Sequence, residues 1–436
     1  MQKFDPAYFK KFFYNTSWLM VERIVNLIML FIIGVLMARY LGPQNYGLLN
    51  YAMSFVLLFA VFESLGLEGV VIRDLLAMPE KQNVLLGSAF FLKMIGAFLA
   101  FGLIFIFVQF TVHDQLTASL ILIMAAGVFF PMFNVIDFYY QSRVASKFVV
   151  FAKCTQTMLS FIIKLIIILN QSSLLWFALV IPVDSFLLAL GLVGIYLSQG
   201  HSLLKWKFDM EVAKGLLKTS FPLILSGVAI SIYMRIDQLM IKSILGDQAV
   251  GIYSVAVRIC EVWYFIPMAI ASSLFPAIIS AKKIDEKLYH SRLQQFFDLM
   301  VVISVIILIP FLLWGDQMVL LLFGQEFAGA GAVLKIYMCA GTFTYMGVAS
   351  SKWLLSENLT RISFYRTFSG LIVNIFLNLI LINRFGVCGA AFATLITQIV
   401  ATYLFDLCDR KTRFMFKMKS KSLFFYNVLR GRLYVR

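Results

Sequence analysis

Polar and ionisable side chains recur at helical spacing inside long apolar stretches of this 436-residue chain. Residues three, four or seven positions apart lie on one face of a helix, so each set predicts a polar stripe. The sets are Lys153-Thr157-Ser160-Lys164, Asn134-Asp137-Gln141, Ser231-Arg235-Gln238 and Ser254-Arg258-Glu261. A charge near the centre of a bilayer costs at least about 2.5 to 3.5 kcal/mol. We therefore expect the striped helices to face charged partners or a hydrated interior.

Further polar residues lie in the apolar stretches outside these stripes, namely Glu22, Arg23, Asn26, Lys93, Asp184, Asp237 and Lys335. Summed over the stretches, unpaired cations exceed anions, which predicts a cavity that favours an anionic headgroup. Alternatives remain open for several residues. Arg258 and Glu261 can form a self-neutralising structural pair, and Asp237 can support packing beside Arg235. Lys93 and Lys335 can snorkel to an interface or form a hydrogen bond between helices. Lys164 lies nearer the middle of its span, so these alternatives are less favoured for it than a role in the cavity.

The elements that position these residues are predicted membrane helices. The chain is 61% hydrophobic and 14% charged, with a mean hydropathy of +0.89, whereas soluble domains carry about 25% charged residues. Runs of about 20 apolar residues predict an all-α polytopic membrane protein with about twelve spans. The spans are 16–40, 47–70, 84–110, 116–140, 148–169, 173–197, 216–244, 250–279, 294–322, 329–354, 362–382 and 386–407.

Lysine and arginine cluster at one set of span ends, including the tail from Arg410 to Arg436. Cytoplasmic loops retain positive charge, so both termini of this multi-pass membrane protein are predicted to be cytoplasmic. Basic cytoplasmic loops that face anionic lipid headgroups account for most of the net charge of +15, and no nucleic-acid partner is predicted.

The chain contains an internal duplication. Leu41-Gly42-Pro43-Gln44-Asn45-Tyr46-Gly47 returns as Leu245-Gly246-Asp247-Gln248-Ala249-Val250-Gly251, at an offset of 204 residues. A second register, at an offset of 214, aligns Lys147, Ser160 and Lys164 with Arg361, Asn374 and Asn378. Six spans on each side of a linker predict two six-helix lobes related by a pseudo-twofold axis along the membrane normal. The predicted divisions are an N-terminal lobe at 1–198, a basic cytoplasmic linker at 199–215, a C-terminal lobe at 216–408 and a basic cytoplasmic tail at 409–436.

Enzyme signatures are missing from the sequence: it has no HExxH, no GxSxG, no Walker glycine loop and no cysteine–histidine cluster. The five cysteines are scattered through the chain. We predict a transporter without catalytic residues, metal or cofactor.

Six blocks of sequence resemble the polysaccharide-export branch of the multidrug/oligosaccharidyl-lipid/polysaccharide (MOP) superfamily, the Wzx-type O-antigen flippases. The blocks are Ala38–Gly47, Asp237–Gly246, Val250–Ser254, Ile266–Pro276, Leu322–Phe327 and Asn374–Ala391. The likeness covers nearly the whole chain, and its specificity lies in the order of the blocks.

The resemblance implies a V-shaped pair of six-helix lobes that moves a polyprenyl-pyrophosphate-linked oligosaccharide between membrane leaflets by alternating access. The implied partners are this lipid, the membrane lipids and other polysaccharide assembly proteins. Ion coupling to H+ or Na+ is also implied. It makes Glu22, Asp137, Asp237 and Glu261 the candidate coupling residues.

Our hypothesis from the sequence is a flippase for an undecaprenyl-pyrophosphate-linked O-antigen or capsule repeat unit, with a cationic central cavity. Its substrate contacts are predicted to be Arg23, Lys164, Arg235 and Arg258. The alternatives are a multidrug or cation antiporter of the same superfamily, a lipid II flippase, and a membrane polysaccharide polymerase or ligase.

Overall fold

The computed structural model describes residues 6–282, 284–357 and 359–424. Within these ranges the chain forms α-helices joined by turns and short 3₁₀ segments, and it holds no strand. The helices are α1 (Pro6–Ser64), α2 (Leu67–Ala77), α3 (Gln82–Thr111), α4 (Gln115–Ala125), α5 (Val135–Ser142), α6 (Lys147–Leu169), α7 (Leu174–Ser198), α8 (Met210–Leu245), α9 (Asp247–Trp263), α10 (Phe265–Lys282), α11 (Glu286–Phe323), α12 (Ala330–Ser356), α13 (Thr360–Phe385), α14 (Val387–Thr402) and α15 (Arg413–Leu423).

Eleven helical stretches among the described residues are long and apolar enough to cross a bilayer. The first, Met20–Ala77, has 58 residues. At 1.5 Å per residue it measures about 87 Å, whereas the hydrocarbon core of a bilayer is about 30 Å thick. The helix breaks at Gly42 (φ 68°, ψ 171°), so this stretch accounts for two of the twelve predicted spans.

The predicted span at 116–140 is not a continuous α-helix. Between α4 and α5 the chain forms a 3₁₀ segment, Ala126–Asn134, with Pro131 inside it. Proline has no amide hydrogen and its ring clashes with the preceding turn, so the α-helical bond pattern changes there. The predicted span at 116–140 agrees with the apolar helical stretch Gln115–Ser142, whose middle is 3₁₀ and not α-helical.

The duplicated turn has the same backbone conformation in both copies. Gly42 adopts φ 68° and ψ 171°, and Gly246 adopts φ 86° and ψ −177°. Only glycine adopts this region without strain, because a Cβ atom would clash with the backbone. The repeated Leu-Gly pair therefore marks one kind of helix-breaking turn, used twice.

The two turns also pack against each other reciprocally. A Cβ atom on Gly47 would lie 1.8 Å from the carbonyl oxygen of Asp247, and one on Gly251 would lie 2.0 Å from the carbonyl oxygen of Pro43. Gly47 corresponds to Gly251 in the repeat, and Pro43 corresponds to Asp247. The contact of Gly47 with Asp247 is therefore equivalent to the contact of Gly251 with Pro43. Such a pair of equivalent contacts is typical of local twofold symmetry.

The chain divides into two compact units. Unit 1 comprises 1–41 and 48–235, and unit 2 comprises 42–47 and 236–436. The division falls within α8, later than the predicted start of a second lobe at residue 216. The first half of α8 belongs to unit 1 because it packs there: a Cβ atom on Gly227 would lie 2.6 Å from the Val61 side chain. The predicted boundaries of the lobes stay a prediction.

The predicted linker at 199–215 is docked onto unit 1. The backbone amide of Lys207 donates to the carbonyl of Asn83 at 3.1 Å, and the Ser88 hydroxyl donates to the carbonyl of Asp209 at 3.3 Å. The indole of Trp206 donates to the Tyr196 hydroxyl at 3.2 Å. These bonds fix the linker against the ends of α3 and α7.

Part of the predicted tail forms α15, which is docked in unit 2; residues 425–436 lie outside the described residues. Lys419 is fully buried, and its Nζ donates to the Thr402 carbonyl at 2.5 Å and to Asp406 at 2.7 Å. Burial lowers the pKa of Lys419 to about 8, which the neighbouring Asp406 carboxylate opposes.

Candidate functional site

Unit 1 holds a polar chain of contacts between α6 and α7. Lys164 Nζ forms an ion pair with Asp184 Oδ2 at 2.9 Å and donates to Ser160 Oγ at 2.7 Å. The Ser160 hydroxyl donates to the same carboxylate oxygen at 2.8 Å. The i, i+4 spacing of Ser160 and Lys164 places both on the face of α6 that meets α7. The stripe predicted from the sequence therefore faces a partner.

These side chains line a cavity of about 200 Å³ within unit 1. Its walls come from α1, α6 and α7. The lining residues are Asn26, Met29, Leu30, Ile33, Gln156, Thr157, Ser160, Phe161, Lys164 and Asp184. Asp184 Oδ1 is buried and has no hydrogen-bond partner among the described residues. The residues that line the cavity thus carry amides, hydroxyls and a carboxylate, and the one ion pair among them is neutral overall.

Unit 2 holds a buried cluster around Asp237 on α8. The carboxylate accepts hydrogen bonds from Tyr253 on α9 at 2.7 Å, Asn378 on α13 at 2.6 Å and Thr394 on α14 at 2.8 Å. Asn378 also donates to the Asn374 side-chain oxygen at 3.1 Å. The alternative that Asp237 packs beside Arg235 does not describe this environment, since its bonded partners come from three other helices.

The Asp237 cluster has a spare acceptor. The side-chain oxygen of Asn378 is buried and has no hydrogen-bond partner among the described residues. An amide flip would turn this oxygen towards Asp237. The two amide oxygens would then lie beside Asp237 Oδ1, while the Tyr253 and Thr394 hydroxyls bond to Oδ2. Carboxylate and amide oxygens are ligands that bind hard cations. The described residues contain no group of three His, Cys, Asp or Glu side chains that could hold a metal ion.

One helix of each site, α6 in unit 1 and α13 in unit 2, supplies residues at matching positions of the duplication. At the offset of 214, Ser160 and Lys164 align with Asn374 and Asn378. In both units the second residue of the pair donates to the first, at 2.7 Å and 3.1 Å, and both contact a buried or partly buried carboxylate. In unit 1 a lysine ammonium therefore occupies the place that an amide occupies in unit 2.

A sequence model of the family described as Polysaccharide biosynthesis protein matches residues 12–282, more than half of the chain. The chain belongs to the polysaccharide biosynthesis protein family. A second model, MatE, matches residues 222–380. The predicted membership of the MOP superfamily is confirmed.

Curated relatives of this polysaccharide biosynthesis family member come from archaea and bacteria. The Probable low-salt glycan biosynthesis flippase Agl15 of Haloferax volcanii is 26% identical over 45% of this chain and 42% of its own length. An uncharacterized membrane protein of Methanocaldococcus jannaschii is 28% identical over 48% of this chain and 52% of its own length. The chain thus spans about half the length of these two relatives. Capsular polysaccharide biosynthesis protein CapF of Staphylococcus aureus is 22% identical over 89% of this chain and 96% of its own length.

Solved structures share the fold. The lipid II flippase MurJ, in an inward closed conformation, aligns with a TM-score of 0.73 and 16% identity over 97% of this chain and 94% of that chain. An inward-facing multidrug resistance transporter of the MATE family aligns with a TM-score of 0.72 and 14% identity over 92% of this chain and 99% of that chain. The fold class predicted from the sequence is confirmed.

The other predicted cationic contacts of this polysaccharide biosynthesis family member lie in different environments. Arg258 donates to the Tyr46 hydroxyl at 2.9 Å, and Tyr46 belongs to the segment 42–47 of unit 2. Arg23 is exposed and Arg235 is partly buried. The structure does not bring these residues into the unit 1 cavity with Lys164, and their role as substrate contacts stays a prediction.

The predicted coupling carboxylates also lie in different environments. Asp137 is buried; it forms an ion pair with Lys153 at 2.8 Å and accepts a bond from Gln141 at 3.1 Å. Two stripes that the sequence presented separately therefore meet in one contact. Glu22 and Glu261 are partly buried. Among these candidates, Asp237 is bonded to side chains on three other helices, and the coupling role of all four residues stays a prediction.

Sequence reasoning missed the carboxylates that neutralise two membrane lysines. Lys93 on α3 pairs with Glu63 on α1 at 2.6 Å, with both side chains buried, and Lys335 on α12 pairs with Asp316 on α11. The prediction that unpaired cations exceed anions in the spans is therefore wrong for these two lysines. Lys93 does not snorkel to an interface. A buried ammonium requires a carboxylate nearby. The partner is on another helix in each case, so spacing along one helix could not reveal it.

Proposed function

We propose that this chain is a flippase that moves a polyprenyl-pyrophosphate-linked oligosaccharide across the bacterial cytoplasmic membrane, with both termini in the cytoplasm. Its family supports this proposal, and so do the relatives named as a glycan biosynthesis flippase and a capsular polysaccharide biosynthesis protein. Transport needs no covalent chemistry in the protein. The pyrophosphate contacts are assigned to Arg23, Arg235 and Arg258, whose guanidinium groups suit phosphate.

The observation that carries the proposal is the Asp237 cluster. An aspartate deep in apolar spans is costly, so such residues mark ion pathways or paired sites. Asp237 has hydroxyl and amide partners on α9, α13 and α14 and a spare amide oxygen beside it. We assign the binding of the coupling ion to Asp237. We favour Na+ over H+ because the hydroxyl and amide groups beside the carboxylate can supply ligands to a metal cation, whereas a proton would need the carboxylate alone. Binding would draw α8, α9, α13 and α14 around one ion, linking ion occupancy to the packing of unit 2.

The ion assignment is tested by thermal unfolding of the purified protein in detergent, with NaCl or choline chloride at constant ionic strength. A ligand at 100 times its dissociation constant adds about 2.7 kcal/mol to the free energy of unfolding. We expect Na+ to raise the Tm of the wild type, and not that of Asp237→Asn. The matched control is Asp316→Asn, which removes a carboxylate from the same unit and should keep the response. Equal Tm values in both salts, together with a pH response that requires Asp237, would replace Na+ by H+.

Transport itself is tested by complementation of a deletion strain. The expected result is loss of surface polysaccharide and accumulation of lipid-linked intermediates in the deletion strain, both reversed by the wild type. Lipid-linked single units that reach the outer leaflet without being polymerised would instead indicate a polymerase or ligase.

A drug or cation antiporter is the second candidate, favoured by the MatE match over residues 222–380. Uptake of organic cations into vesicles that contain the purified protein separates the two. Uptake into the vesicles driven by an ion gradient, together with normal surface polysaccharide in the deletion strain, would establish the antiporter.

A further inference from the structure

The unit 1 cavity carries a charge pattern that does not suit the role predicted for Lys164. Its ammonium is neutralised by Asp184 at 2.9 Å, and Ser160 bonds to both groups. A pyrophosphate entering the cavity would meet the Asp184 carboxylate as well as the lysine. The ion pair therefore leaves the cavity polar but without net charge.

The remaining groups of the cavity suit hydroxyl groups. Asn26 and Gln156 present amides that donate and accept, and Thr157 presents a hydroxyl. Asp184 Oδ1 is a buried acceptor with no hydrogen-bond partner among the described residues. A buried carboxylate oxygen of this kind requires a donor, and a ligand hydroxyl can supply it. Phe161 adds a flat apolar surface on which the CH groups of a sugar ring can pack.

The size of the cavity fits one sugar ring. It holds about 200 Å³ between α1, α6 and α7, so a single pyranose is of the right order. Small-molecule sites combine such a concave apolar wall with a few placed polar groups.

We propose that the unit 1 cavity is a binding site for one neutral sugar residue, held through its hydroxyl groups by Asp184, Gln156, Asn26 and Thr157. This inference rests on the proposed function, since it assigns the saccharide to unit 1 and the pyrophosphate to other residues. Lys164 acts as a positioning residue that orients the Asp184 carboxylate.

The first experiment is a charge cycle at the ion pair. Lys164→Gln, Asp184→Asn and the double variant are expressed in the deletion strain, and surface polysaccharide is measured at matched membrane levels. For a neutral sugar site each single variant should lose about tenfold, because it leaves one charge unpaired. The double variant should be more active than either single variant, because no charge is left unpaired, but less active than the wild type, because the Asp184 contact to the sugar is weakened. The matched control is the same cycle at Lys335 and Asp316, a pair outside the cavity, where all variants should remain active.

An anionic ligand predicts a different pattern in the same cycle. Asp184→Asn would then be at least as active as the wild type, because it frees the Lys164 charge. The double variant would be as poor as Lys164→Gln, because both lack the cation. That pattern would overturn the proposal.

The second experiment measures binding without transport. Thr157→Cys is introduced in a variant whose native cysteines, Cys339 excepted, are replaced by serine, and the rate of maleimide labelling is followed in detergent. The probes are methyl glycosides of glucose, galactose and N-acetylglucosamine, and inorganic pyrophosphate. We expect at least one glycoside to slow labelling at residue 157 threefold or more, with Cys339 unaffected and pyrophosphate without effect. Protection by pyrophosphate alone, or by no probe, would refute the site.

The two proposals can fail separately. If glycosides protect residue 157 but deletion leaves surface polysaccharide intact, the sugar site stands and the flippase does not. If deletion abolishes surface polysaccharide but glycosides give no protection, the flippase stands and the sugar binds elsewhere.

Discussion

Alanine at Gly251 should force apart the two turns of the duplication. A Cβ atom there would lie 2.0 Å from the Pro43 carbonyl oxygen and 2.8 Å from the carbonyl carbon. Both are backbone atoms, so no side-chain rotation relieves the clash. Overpacking costs about 1 to 3 kcal/mol, and the better helix propensity of alanine returns about 0.5 to 1 kcal/mol. The net expectation is a loss of about 1 to 2 kcal/mol from the free energy of unfolding.

Gly341→Ala is the matched control for this substitution. Gly341 also lies inside a helix of unit 2, and a Cβ atom there would meet no atom within 4 Å. Gly341→Ala therefore gains the better helix propensity of alanine without a steric clash. Unit 2 has about 200 residues, a size at which 1 kcal/mol shifts the Tm by about 2–4 °C. We expect the Tm of Gly251→Ala in detergent to fall by about 2–8 °C and that of Gly341→Ala to stay level or rise.

The reciprocal contact supplies a second check on the same geometry. Gly47→Ala should lose a similar amount, because its Cβ atom would lie 1.8 Å from the Asp247 carbonyl oxygen. Once either alanine has separated the turns, the second clash is partly relieved, so the double variant should lose less than the two single losses combined. If Gly251→Ala is as stable as Gly341→Ala, the close packing of the two turns is not a feature of the folded protein.

Three further predictions concern charged groups and orientation. Lys419 has its pKa lowered by burial to about 8, below the ordinary 10.5, so between these values the unfolded chain binds more protons than the folded protein. Below about pH 8 the folded protein carries the full cost of burying the Lys419 charge. The free energy of unfolding, measured relative to Lys419→Met, should therefore rise by up to about 3 kcal/mol as the pH increases towards 10.5. A difference in Tm between the two proteins that stays constant from pH 7.5 to 9.5 would contradict this. Glu63→Gln should lower the free energy of unfolding by about 3 to 5 kcal/mol because it leaves the buried Lys93 ammonium unpaired, and Lys93→Met in addition should restore most of it; thermal unfolding of the single and double variants measures both. A green fluorescent protein fused after Phe424 should fluoresce in intact cells if that end is cytoplasmic, whereas an alkaline phosphatase fusion at the same place should be inactive; the opposite result would reverse the predicted orientation.

The two polar sites illustrate how a duplication can diverge in chemistry. At matching positions unit 1 has Ser160 and Lys164, whereas unit 2 has Asn374 and Asn378. The lysine brings its own cation to Asp184, so that site needs no ion from solution. The amides of unit 2 carry no charge, and Asp237 has no ion pair among the described residues. One copy is thus suited to a neutral polar ligand, and the other to an exchangeable ion.

The amino-acid sequence by itself determined the class of the protein. Runs of apolar residues long enough to cross a bilayer predicted spans that agree closely with the helices, because backbone groups in lipid must be satisfied within each segment. The paired Leu-Gly motifs predicted the repeated turn, since Gly42 and Gly246 adopt a conformation that other residues rarely reach. The ordered motifs predicted the family.

Tertiary structure alone decided which charged residues meet. Spacing placed Lys164 on a polar face, but its neutralisation depends on Asp184, twenty residues away on another helix. Glu63 gave no local signal, yet it neutralises Lys93. Asp237 was a lone carboxylate in the sequence, and its partners come from α9, α13 and α14. Hydrophobic length and glycine conformation are local properties of the chain, whereas the pairing of charges depends on how helices pack, which a single sequence does not encode in any local pattern.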